Sequence, residues 1–181
     1  LRAGARDPGR AAAPLASAAP PLQPRPMASP ADPFRPVDDE ARALARRLMT
    51  EARHGALAVR DGDGPPHMAR VAVGWDGRPL LLMSDLALHA RLLRADPLCG
   101  LLLGEPGRGD PLAHPRLSLQ ARAEPADKEP ARDAWLRDHP KAALYWGFAD
   151  FALWRLRPLG GLLNAGFGRA YRLAPADLGA P

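Results

Sequence analysis

The sequence predicts an α+β fold: an antiparallel barrel of short strands that carries its helices to one side. Three observations lead there. Apolar residues alternate with polar ones in short runs, and glycine- and proline-rich turns separate those runs. Helical periodicity is confined to a few segments. The resulting order is one helix, three meandering strands, a helix, two strands, a helical pair and two strands, which is the pattern of hairpins closing on themselves.

Each element has its own reason. In "VDDEARALARRLMTEAR" from Val37, residues Ala41, Leu44, Ala45, Leu48, Met49 and Ala52 share one stripe, with Asp38 or Asp39 as N-cap. "GALAVR" at 55–60 reads as a strand, "DGDGPP" as a turn and "HMARVAVGW" as a second strand. After "WDGRP" turns the chain, the unbroken apolar run of "PLLLMS" predicts a strand buried on both faces. Residues 86–95 form a short helix that Asp96-Pro97 ends. "CGLLLGE" resumes a strand and "PGRGDPLAHP" is a loop. "RLSLQARAEP" alternates Leu117, Leu119 and Ala121 with Ser118, Gln120 and Arg122, a half-exposed strand. "DKEPARDAWLRDHPKAALYWG" is a helix and a shorter one, broken at Pro140. "FALWRLRP" and "GLLNAGFGRAYRL" are the last two strands, followed by a helical turn in "PADL".

With 181 residues, 46% of them hydrophobic, the chain predicts one domain with a real core plus tails. Proline and alanine dominate the opening 26 residues without any period, so 1–31 reads as a disordered tail or upstream sequence, 32–178 as the domain and 179–181 as a closing tail. No run approaches the roughly 18 apolar residues of a membrane span, so no membrane partner is expected. The single cysteine, Cys99, excludes an internal disulfide and fits a cytoplasmic location. The formal charge is +5, but residues 1–26 hold +3 of it through Arg2, Arg6, Arg10 and Arg25 against Asp7. What remains is spread thinly, and no nucleic-acid partner is expected.

The sequence lacks a glycine-rich phosphate loop, a paired-cysteine motif and His-Glu-x-x-His. His54, His67, His89, His114 and His139 are scattered without ligand spacing, so no metal site is expected and no catalytic acid or base declares itself. One junction stands out, where the third strand hands over to the second helix. Ser84 offers a hydroxyl there, His89 and Arg91 add donors, and a helix N-terminus favours an anion. Asp85 opposes an anion, and the plainer reading makes Ser84 or Asp85 an N-cap and His89 and Arg91 a solvated face. Arg70, in mid-strand, must find either solvent or an anion. The aromatic group Tyr145, Trp146, Phe148, Phe151 and Trp154 reads first as core or interface and second as a surface for a flat cofactor.

The stretches "DPFRPVDDEARALARRLM", "ARVAVGWDGRPLLLMSDLALHARLLRADP", "LLLGEPGRGDPLAHPRLSL", "HPKAALYWGFADFALWRL" and "LNAGFGRAY" resemble the pyridoxamine 5'-phosphate oxidase-like family. More narrowly they resemble its bacterial branch of haem-utilisation (HugZ-type) proteins. The resemblance runs from about residue 32 to 178. It implies a Greek-key split β-barrel of about six strands with peripheral helices, a homodimer, and FMN held at the dimer interface. The implied flavin site falls on Arg70, Val71, Met83, Ser84, His89 and Arg116, with Arg91, Asn164 and Arg169 as further cleft residues. Ala69 stands where relatives of this branch often carry Ser, and Ala90 where they often carry Thr or a basic residue, which implies lost donors beside the flavin phosphate. Arg172 of "RLAP" echoes a substrate contact of the classical oxidases, but reads more simply as a strand end before a proline-led turn. The function implied is an FMN-dependent oxidoreductase acting on an unidentified small molecule. The alternatives are a haem-binding or haem-degrading protein and a non-catalytic binding protein with an eroded flavin site.

Overall fold

The computed structural model describes residues 32–179, so the expected tail at 1–31 lies outside them. In chain order the elements are α1 (Asp39–Glu51), β1 (His54–Val59), β2 (His67–Ala72), β3 (Gly74–Trp75), β4 (Pro79–Ser84), α2 (Leu88–Ala95), β5 (Leu98–Leu103), β6 (Arg116–Ala126), α3 (Lys128–Asp138), β7 (Phe151–Asn164) and β8 (Ala170–Leu173). Short 3-10 turns occupy Pro111–Ala113, Pro140–Leu144 and Pro175–Leu178. Asp38 caps α1, its side chain accepting from Ala41 N at 2.8 Å.

All strand pairings are antiparallel, in the order β2-β1-β5-β6-β7-β4-β3, with β8 added on β7. The two end strands, β2 and β3, are one run of chain that breaks only at Val73, whose N–H donates to Arg53 O at 3.0 Å. One segment therefore supplies both margins of the sheet and curls it into a barrel. Counted that way the sheet has seven strands, the number read from the sequence and one more than the six or so the resemblance implies.

Two apolar clusters hold the barrel. The interior gathers Leu57, Val71, Leu81, Leu101, Leu119 and Leu156, and α1 adds Ala41, Ala45 and Met49. A second cluster lies between β4 and α3, where Leu80 and Leu82 meet Ala131, Trp135 and Trp146. β4 is thus buried on both faces, as its apolar run predicts. Gly74 is required here, because a Cβ on it would lie 2.7 Å from the Trp135 ring.

Two expectations need correction. The strands expected to stop at Pro158 and restart at Gly161 are one strand, β7. Its pairing slips there: Gln120 faces Gly160 while Ala121 faces Pro158, so Leu159 is an extra residue. A bulge tolerates a proline that regular pairing would reject. The second correction concerns α2, which starts at Leu88 with Ala87 as N-cap and no side-chain cap. Neither Ser84 nor Asp85 caps the helix.

Candidate functional site

Residue parity along the strands decides which side chains can meet a ligand. Val71 and Met83 point into the barrel interior and are buried, so they can offer only backbone groups to a ligand. Arg70 points outward, is exposed, and makes no salt bridge with another described residue. The β3–β4 pairing sets Gly74 against Leu80 and Trp75 against Pro79. β2 and β4 do not pair, so Arg70 and Ser84, both on the outer side, belong to opposite margins of the split.

Ser84 is not free to serve a phosphate. Its hydroxyl donates to Asp150 Oδ2 at 2.7 Å and accepts from Leu86 N at 3.2 Å. Asp85 N donates to Asp150 O at 2.6 Å, and the Asp85 side chain is bridged by Arg94. Two carboxylates thus stand at the start of α2, and they repel an anion that the helix end would otherwise attract. Sequence reading had no signal for Asp150, which is 66 residues from its partner.

His89 does not join Arg70. It packs against His67, with ring planes 7° apart and centroids separated by 6.4 Å. His67 and Arg70, three residues apart, lie on opposite faces of β2. Burial, and then the neighbouring His67, hold the His89 imidazole below its ordinary value of 6.5. Arg91 is exposed and lines a shallow cavity of about 300 Å³ with Asp85 and Arg94. Ala69 and Ala90, read as lost donors, pack against the barrel interior, Ala90 at 1% exposure. Hydroxyls on them would face core and not ligand.

The outer side of the sheet is different. One cross-strand row reads Arg70, Ala56, Leu102, Ser118, Leu162 and Arg172. Leu102, Ser118, Leu162 and Arg172 stay exposed, and the Phe34 ring lies 4.6 Å from the Arg172 guanidinium at the end of the row. The next row holds His54 on β1 and the Arg116–Asn164 pair on β6 and β7. A cavity of about 330 Å³ opens here between Arg70, His54, Ala56, Leu102 and Glu105. His54 Nε2 lies 2.7 Å from Glu105 Oε1. Arg116 donates to Leu112 O at 2.9 Å, Asn164 Oδ1 accepts from Gly166 N, and Arg169 donates to Glu40 at 2.8 Å. Of the residues the resemblance assigns, Arg70 and Arg116 therefore share an open face. Ser84, His89 and Arg91 sit around the start of α2, and Arg169 ties a loop to α1. Sequence reading missed His54, because a histidine opening a strand carries no local mark.

A barrel whose margins meet without pairing along β2 and β4, with an open sheet face beside that gap, defines a split barrel. Comparison with known proteins makes the assignment narrower: the chain belongs to the pyridoxamine 5'-phosphate oxidase-like split-barrel family. No family model matches it. One solved structure of no stated function is 47% identical, covering 80% of this chain and 98% of its own, with a TM-score of 0.75. A haem-binding protein from Mycobacterium smegmatis is 31% identical across 78% of this chain and 61% of its own, with a TM-score of 0.72. A non-canonical chloroplastic haem oxygenase from Arabidopsis thaliana is 34% identical over 97 residues, 50% of this chain. The chain spans 28% of that plant enzyme's length. A FAD-binding protein from Mesorhizobium loti, 19% identical over 61% of this chain and 83% of its own with a TM-score of 0.50, shares the fold alone.

Proposed function

We propose that this protein binds haem on the open sheet face, as a homodimer, and serves in haem capture or breakdown. The similarity to the mycobacterial haem-binding protein carries the reading, since it spans 78% of the chain at 31% identity. The residues suit the ligand. Ala56, Leu102 and Leu162 give an apolar floor for a flat ring, and Arg70 and Arg116 give guanidiniums for carboxylates at its rim. His54 is the imidazole on that face, with Glu105 orienting it. When bound, haem would supply a redox-active iron whose behaviour is set by its ligands and by the polarity around it. The protein's part is to hold the ring, pair its carboxylates and keep bulk water off it.

A second copy suits the same face. Exposed Met68, Leu102, Leu159 and Leu162 lie on the part of the sheet that no described helix covers, which supports a dimer that encloses the ligand. Titration with ferric haem, read in the Soret region, tests the haem reading, and light scattering at the same concentrations tests the dimer. A purified chain whose spectrum equals that of free haem at every ratio would reject the haem reading.

FMN is the second reading, favoured by Arg70 and Ser84 lying on the two margins of the split. The donor set fits it poorly: the Ser84 hydroxyl already serves Asp150, and Asp85 lies beside it. A rise in melting temperature of a few degrees at saturating FMN, absent with haem, would reverse the order of the two readings. The protein would then be an oxidoreductase acting on a small molecule.

A further inference from the structure

Phe167 is fully exposed at the tip of the turn between β7 and β8, among the described residues. A single exposed apolar side chain needs no explanation. This one is held out by its backbone. Asn164 Oδ1 accepts from Gly166 N at 3.1 Å, Ala165 N donates to Arg169 O at 2.8 Å, and Arg169 N donates to Gly166 O at 3.2 Å. Gly166 and Gly168 on either side have φ of 112° and 68°, which side-chain-bearing residues rarely adopt. The turn backbone is held from both ends, and the ring projects from it into solvent.

A neighbour shares this exposure. Leu112, on the Pro111–Ala113 turn, is also open to solvent, and the two loops touch: a Cβ on Gly166 would lie 3.4 Å from Ala113 O. Arg116 stands behind them, donating to Leu112 O at 2.9 Å and making no salt bridge with another described residue. Two exposed apolar side chains on adjoining loops, with a guanidinium beside them that bonds only a backbone carbonyl among the described residues, complement a flat apolar ring that carries carboxylates.

We propose that Phe167, supported by Leu112, is an aromatic anchor for the ring face of a tetrapyrrole. Arg116 takes one of its carboxylates. The inference rests on the haem reading above and assigns to it a contact on the β7–β8 turn. Offset or edge-on packing of the phenyl group against the macrocycle gives the contact its geometry.

The test uses the full chain and ferric haem as the probe, in Soret titrations of the native protein, Phe167→Ala, Leu112→Ala and Phe167→Trp. Both alanine variants are surface changes and keep the native melting temperature. Phe167→Ala should weaken binding about tenfold or more and Leu112→Ala less, with dimer size unchanged, whereas Phe167→Trp should bind as the native chain does. Native affinity in both alanine variants overturns the anchor. So does a Phe167→Ala variant that falls to monomers with haem affinity intact, since a second copy then covers the ring. A native chain that gives no Soret change brings down the haem reading and the anchor together, and that result differs from either of the others.

Discussion

β4 and β6 belong to one sheet and face opposite circumstances on its outer side. β4 has α3 over it, and Leu80 and Leu82 are sealed against Trp135 and Trp146. β6 has no described helix over it: Leu117, Leu119 and Ala121 are buried inward while Ser118 and Gln120 stay exposed. The inner faces do the same work in both strands, completing the barrel core. The outer faces divide the sheet into a sealed wall and an open one, and of the two the open wall has its side chains exposed to a ligand or a partner. The sequence already shows this difference, as an unbroken apolar run in one strand and strict alternation in the other.

The largest effect should come from breaking the sealed wall. Trp135→Ala empties the middle of the β4–α3 cluster and should cost about 3–5 kcal/mol, read from denaturant unfolding at constant m-value. On the open wall the reverse should hold. Leu162→Arg should change the stability of the isolated chain by less than about 0.5 kcal/mol, yet it should disrupt the proposed dimer in light-scattering measurements. An equal loss of stability in both variants would erase the distinction between the two walls.

Smaller effects sharpen it. His89 has its folded-state value lowered by burial and by His67, so the unfolded chain takes up the proton more readily. The associated stability is fully present above about pH 6.5 and is lost as pH falls toward the lower folded value. His89→Gln should flatten that part of the stability–pH curve, measured by urea unfolding between pH 7.5 and 5. The smallest change concerns Cys99, whose thiol is pushed up to about 12, first by burial and then by Asp96. The folded chain should resist alkylation at pH 8 and react promptly in denaturant.

Much of the fold was legible because periodicity is local. Each strand and helix was marked by its own alternation or stripe, and β4's double burial could be read from five apolar residues in a row. The bulge in β7 was not legible, since Pro158 looks like an end until Gln120 and Ala121 are known to slip against it. The site was less legible still. Strand parity could have separated Arg70 from Val71, but only the folded chain shows that Ser84 answers to Asp150, that Ala90 is core, and that His54 and Arg70 share a hollow with Glu105.

The run 67–75 forms both ends of the sheet, and that bears on how this molecule behaves in a crowd. Bare strand margins recruit other chains through their unused amide and carbonyl groups. Here the two ends turn toward each other around Val73, and the β8 side carries a bridge from Arg35 to Tyr171. In the proposed dimer, association would then avoid margin-to-margin growth and fall on the broad flank, where side chains set the contacts and assembly stops at two.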